Sequence, residues 1–221
     1  MPSFLEPPAK MPKDAGVIYG YLAGEALRTR SKWIFFRQLF MDSDVRTKKL
    51  AKAGGLFFGE IQNILVFDLI LSIARLTDPA STGKKDNLTL LQLISKLAQE
   101  KQVEITIALR NEYEKVEKLA EAVRAHRHKK VSHFDLVTIV KPESEPLPGL
   151  TLRDIRLAIE SIEEFLGLVH THYTGGSFMW SALTTRDDAD TLFATLCKAE
   201  CYDEAEAKGV FKKHEWEKFW E

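Results

Sequence analysis

Apolar residues recur three and four positions apart along most of this chain, and proline, glycine or a capping side chain stands where that spacing fails. From Asp14, an N-cap residue type, Val17, Tyr21, Ala23, Ala26, Leu27, Trp33, Ile34, Phe36 and Phe40 predict a first long helix ending near Met41. Ser43 or Asp44 caps a second, basic at first through Arg46, Lys48, Lys49 and Lys52, then almost wholly apolar from Leu56 to Leu76 after Gly54 and Gly55. That composition predicts a rod surrounded by other helices. Asp68, Ser72 and Arg75 share one polar stripe on it, and on a buried rod such groups need partners from a neighbouring helix.

Thr77, Asp78 and Pro79 stop this helix, because proline disfavours helical backbone at the residue before it. A loop over Ala80 to Lys85 follows, and Asp86 or Asn87 is the expected cap of a short helix with Leu90, Leu91, Ile94, Leu97 and Ala98 inside. The next helix starts near Val103 and carries Leu109, Tyr113, Val116, Ala120 and Val123 on one stripe. Four residues further, the same stripe lands on Arg127. A guanidinium on a core-facing line calls for an anion, a partner subunit or water.

Residues 136–150 hold Pro142, Pro146, Pro148 and Gly149 and read as a loop or hairpin, with a short strand over Leu136 to Val140. Thr151 with Asp154 signals a capped helix whose Ile155, Ile159, Ile162, Leu166, Val169 and Tyr173 face inward, ending at Gly175 and Gly176. Helices near Thr185 to Ala199 and Tyr202 to Lys208 follow, the latter closed by Gly209, and Trp216, Phe219 and Trp220 anchor the tail. Residues 1–13, with Pro2, Pro7, Pro8 and Pro12, are expected to form an extended or mobile arm that packs little. The chain thus reads as all-α: an arm over 1–13, a helical bundle over 14–175, and a helical C-terminal extension over 176–221 packed on it.

Composition narrows this further. With 31 Lys plus Arg against 32 Asp plus Glu, attraction to nucleic acid must come from a local patch and not from net charge. No basic start followed by an apolar run opens the chain, which implies a cytoplasmic protein, and Glu60, Gln62, Asn63, Asp68 and Arg75 interrupt the apolar run enough to favour a buried helix over a membrane span. Cys197 and Cys201 have no partners at zinc-ligand spacing and read as small core residues, so no metal or cofactor is expected.

The best local patch is Glu121 to Asp135, EAVRAHRHKKVSHFD, with two arginines, two lysines and three histidines at the end of a long helix. Within it stand Arg127, His128, then Lys129, Lys130, Val131, Ser132, and His133. That order resembles the catalytic motif of the HEPN superfamily: Arg, a polar residue, usually four more, then His. Together with Ala74-Arg75-Leu76-Thr77-Asp78-Pro79 and Gly83-Lys84-Lys85-Asp86-Asn87-Leu88 upstream, residues 15–175 resemble the branch named after the second component of the type U abortive-infection system. One departure is His128 where the family usually has Asn, with Ser132 before His133 where it usually has Ala.

The resemblance implies an HEPN-like helical bundle, often dimeric, in which many members cut RNA without a metal ion and others have lost that activity. It also implies phage defence by abortive infection or a toxin-type system, with RNA as substrate, a homodimer, and a cognate antitoxin or other defence component as partner. Chemistry assigns the parts. A histidine with a pKa near ~6.5 serves as acid or base, and an arginine fork matches two phosphate oxygens. His133 is accordingly the acid or base, Arg127 the phosphate clamp, and His128 an orienting group, with Arg124, Lys129 and Lys130 on flanking phosphates.

Asp68, Ser72 and Arg75 read as a structural polar network, or as groups that hold His133 from behind. On an ideal helix Arg127 and His133 point about 120° apart and sit about 9 Å apart along the axis. The helix must therefore break near Val131, or a second copy must complete the site. The alternative function is a non-catalytic helical module that binds nucleotide, RNA or a partner protein. In that case the cations complement a helix C-terminus, and His126 and His128 are solvated.

Overall fold

The computed structural model describes residues 5–131, 147–180 and 188–210. Six helices run through them: α1 (Lys13–Phe40), α2 (Asp44–Thr77), α3 (Leu90–Gln99), α4 (Val103–His126), α5 (Leu152–Thr174) and α6 (Asp188–Ala207). A hairpin of two-residue strands, β1 (Ser81–Thr82) and β2 (Lys85–Asp86), joins α2 to α3, and α4 runs on into a π-helical turn at Arg127–Val131. The all-α expectation holds. The strand expected over Leu136 to Val140 and the terminal Trp216, Phe219 and Trp220 lie outside the described residues. The chain divides into two compact units, Met1–Ile34 with Asn63–Thr184, and Phe35–Gln62 with Thr185–Glu221.

The first unit is built on α4, which packs against α3 and α5. The whole predicted stripe of α4, Leu109, Tyr113, Val116, Ala120 and Val123, is buried, and so is that of α5, where Phe165 meets Tyr113 edge to face at 6.4 Å. The start of α5 is fixed by the expected capping box: Thr151 Oγ1 accepts from the Asp154 N–H and the Asp154 carboxylate accepts from the Thr151 N–H. Its end is fixed by Gly175, whose φ of +73° only glycine adopts cheaply. Two ion pairs tie α1 in: Arg30 Nη1 to Glu163 of α5 at 2.6 Å, and Asp14 to Lys96 of α3 at 3.0 Å.

In the second unit, Phe36, Leu50, Ala189 and Phe193 are buried. Arg46 bonds Asp190 at 2.5 Å and stacks over the Phe193 ring, while Lys49 bonds Glu200.

Several expectations give way, each for a physical reason. The apolar stretch of α2 is not enclosed: Leu69, Ile70, Ile73, Ala74 and Leu76 near its end are buried, but Leu56 is 92% exposed and Phe57, Ile64 and Phe67 stand in the open too. Hydropathy states that a surface prefers to be covered, not that this chain covers it. By length and composition α2 could cross a bilayer, the one described helix of which that is true.

The two helices expected after residue 185 are a single α6, since Ala199 to Tyr202 contains neither glycine nor proline to break it. Cys197 and Cys201 are exposed on it and are not core residues. The cap of α3 is Thr89, whose Oγ1 accepts from the Gln92 N–H, because Asn87 is spent on Pro79 O and Thr82 Oγ1 and Asp86 lies in β2. Residues 5–12 pack against α1, with Pro8 and Met11 buried and the Leu5 N–H bonded to Gly20 O.

Two measurements check this packing. Truncating the fully buried Phe165 to alanine is expected to cost about 3–5 kcal/mol in urea unfolding, whereas Phe57→Ala changes stability by less than about 0.5 kcal/mol. Equal losses would mean that the α2 face is covered. The second concerns Glu163, whose pKa burial raises above the ordinary glutamate value despite the lowering effect of Arg30. The folded protein then holds this proton more tightly than the unfolded chain, so stability falls as pH climbs from the unfolded value through the higher folded one. Wild type is therefore expected to lose stability relative to Glu163→Gln as pH rises above about 4.3, and parallel pH profiles would contradict the shift.

Candidate active site

The end of α2 is where the basic segment of α4 is anchored. A helix leaves its last carbonyls without internal partners, and that of Thr77 accepts from Tyr113 Oη at 3.1 Å and Arg124 Nη1 at 3.0 Å. Burial raises the Tyr113 pKa, so the phenol stays a donor. Arg124, expected on a flanking phosphate, is thus engaged at a helix terminus, with its Nη2 3.5 Å from Glu117 O.

One turn on, Arg127 Nη2 lies 3.3 Å from Asp78 Oδ2, in the Thr-Asp-Pro stop that follows α2. That distance is long for a charge-assisted hydrogen bond. The Arg127 side chain keeps 33% of its exposure, while its Nε is buried without a hydrogen-bond partner among the described residues. The guanidinium predicted at the end of the core-facing line therefore has its anion, held by a single loose contact.

From Arg127 to Val131 the chain is π-helical. Hydrogen bonds to the fifth residue put more residues in each turn, so the angular step drops below the about 100° of an α-helix. The 120° and 9 Å separation expected for Arg127 and His133 does not carry over to such a turn. His128 is exposed and Lys129 half-buried; the Lys130 side chain and His133 lie outside the described residues. His126, solvated in the non-catalytic alternative, has Nε2 2.8 Å from Pro148 O, which ties the end of α4 to the segment leading into α5.

Arg127 opens on a cavity of about 640 Å³. Its charged lining comprises Arg28, Lys32, Arg75 and Arg127 with Glu25, Asp68 and Asp78; Leu22, Leu76, Leu88 and Tyr21 supply apolar surface. Lys32 reaches Asp68 at 2.5 Å and Ser72 Oγ at 3.1 Å, so α1 is the neighbour that satisfies the polar stripe of α2. Arg28 pairs with Glu25 at 3.5 Å. Arg75 departs from its stripe: it is exposed, and its guanidinium makes no hydrogen bond or ion pair among the described residues. Tyr21 enters the sequence reading only as part of the apolar pattern of α1, and Glu25, Arg28 and Lys32 escape it, although the spacing of four, three and four marks one face of α1.

A family model, HEPN_AbiU2, described as AbiU2, matches residues 13–192, which takes in both units and runs beyond the 15–175 expected from the motifs. No curated protein and no solved structure matches the chain.

The shared Thr77 carbonyl gives a cycle to measure. Tyr113→Phe is expected to cost about 1 kcal/mol in urea unfolding, because Arg124 still serves the carbonyl. Combined with Arg124→Met, the loss should exceed the sum of the two single losses, since the buried oxygen is then left without either donor. Additive losses would show that the two donors act independently.

Proposed function

The chain belongs to the AbiU2 family of HEPN proteins, and on that footing we propose that it is a metal-independent endoribonuclease of a phage-defence or toxin-type system. The observation that carries this is Arg127: a partly exposed, loosely paired guanidinium beside His128, at the wall of a cavity lined by three further cations. In this reaction a base takes the proton of a ribose 2′-hydroxyl and the freed oxygen attacks the neighbouring phosphorus. The bond to the 5′-oxygen breaks, and an acid protonates that leaving oxygen. The products are a 2′,3′-cyclic phosphate and a 5′-hydroxyl. Arg127 neutralises the phosphate oxygens as charge builds on them.

His133 is the acid or base, and the same histidine of a second copy supplies the other role across a two-fold axis. His128 orients the substrate, and Lys129 and Lys130 meet flanking phosphates. Arg124 keeps donors for a phosphate beside the one that it gives the Thr77 carbonyl. The partners that follow are RNA, a second copy of the chain, and a cognate antitoxin or other defence component, with action in the cytoplasm.

A second function is favoured by the Arg127–Asp78 pair, which gives the guanidinium a counter-charge within the fold. In that case the same basic end is a non-catalytic module that binds nucleotide, RNA or a partner protein. Purified protein with total RNA in excess chelator separates the two. Cutting that persists, yields cyclic phosphate ends, and falls by about 10²-fold or more in His133→Ala and in Arg127→Ala is the expected result. A folded wild type that leaves RNA intact, or cuts only when metal is restored, would overturn the endoribonuclease assignment.

A further inference from the structure

We propose that the cavity framed by α1, the last turn of α2 and the β1–β2 hairpin is a subsite that lodges one nucleotide of the RNA strand next to the cut, with Arg75 on its phosphate. This rests on the endoribonuclease reading. A volume of about 640 Å³ falls within the about 300–1,000 Å³ usual for small-molecule sites, so a base with its ribose and phosphate has room.

The charges point to an anion. Three of the four cations have a carboxylate within the same cavity: Arg28 with Glu25, Lys32 with Asp68, and Arg127 with Asp78. Arg75 is the fourth, and among the described residues its guanidinium contacts no acceptor, although it projects from a helix whose preceding polar positions, Asp68 and Ser72, are both bonded to Lys32. Among the described residues it is not drawn into any of those pairs. Left uncommitted beside them, it offers a planar fork of donors to a phosphate, and the site then gains a charge-assisted bond without breaking one.

Tyr21 and Leu88 add an aromatic ring and an apolar surface at the same cavity, the kind of platform on which a base stacks. The hairpin keeps Leu88 there: Gly83 takes φ +63° at the tip, and Asn87 binds Pro79 O and Thr82 Oγ1. A single strand carries a phosphate on every sugar. With one phosphate clamped at Arg127, the adjacent phosphate needs its own cation, and Arg75 is the one in the shared cavity that has no acceptor among the described residues.

The probe is a dye-labelled 2′-O-methyl tetranucleotide, which lacks the attacking hydroxyl, so occupancy is read by fluorescence anisotropy apart from cutting. Arg75→Gln and Leu88→Glu alter exposed side chains and are expected to melt as wild type does. Each should weaken the tetranucleotide about tenfold or more. Arg75→Gln should also lower the slope of log affinity against log salt by about 0.7, the share of one phosphate contact on a single strand. Affinity and slope unchanged in Arg75→Gln would overturn the subsite. Adenosine monophosphate that binds as tightly as the tetranucleotide would overturn its assignment to an RNA strand and make it a site for free nucleotide. The two proposals fail separately. A wild type that binds the probe through Arg75 yet leaves ordinary RNA uncut removes the nuclease, and one that cuts with Arg75-independent binding removes the subsite.

Discussion

The carbonyl of Thr77 is the point on which the candidate site depends. A helix leaves its terminal oxygens without internal partners, and here one such oxygen takes hydrogen bonds from both Tyr113 and Arg124, about three turns apart on α4. The residue after it, Asp78, takes Arg127. Tyr113 and Arg124 of α4 and Arg127 of the turn that follows it are therefore held by Thr77, the last residue of α2, and by Asp78 after it, which settles the height of α4 along α2. Were α4 to slide by a turn, the motif would leave the cavity. The core stripe of α4 resists the same slide, because Leu109, Val116, Ala120 and Val123 are buried at the registers that present Tyr113 and Arg124 to Thr77.

The polar stripe of α2 is divided in its work. Ser72 is fully buried and Asp68 is not, yet both are met by one ammonium, that of Lys32, which brings α1 against α2 with a single cation. The two residues hold the wall of the cavity. Arg75, one turn nearer the helix end, faces out and is left to something other than the fold. A stripe at i, i+4 and i+7 thus contains two structural members and one with no structural duty among the described residues, and nothing in the spacing separates them.

Burial of charge runs through the same unit. Arg30 and Glu163 bond at 2.6 Å, but burial still holds the Glu163 carboxyl above its ordinary range, so the attraction does not fully offset desolvation. The pair joins α1 to α5 across the long sequence separation between them. The cavity opens on the other side of α1 from that contact, where Tyr21, Glu25, Arg28 and Lys32 line it. α1 is accordingly polar on a second face for a reason that core packing does not supply.

By itself the sequence determined the features that arise from local chemistry. The Thr151–Asp154 box, the Gly175 stop, the Thr-Asp-Pro break and the buried stripes of α4 and α5 depend on side chains within a turn of one another, and periodicity reads them directly. The wording around Arg127 and His128, with the upstream stretches, pointed to the family.

Tertiary structure decided what depends on a partner distant in the chain. Whether Arg124 meets a phosphate or a helix end, whether Arg75 joins its stripe, and whether the apolar face of α2 is covered are set by what packs opposite, at separations of tens of residues. The change to a π-helical turn at Arg127–Val131 belongs there too, since no spacing of apolar residues announces it, and Asp78 and Pro148, which meet Arg127 and His126, come from other segments.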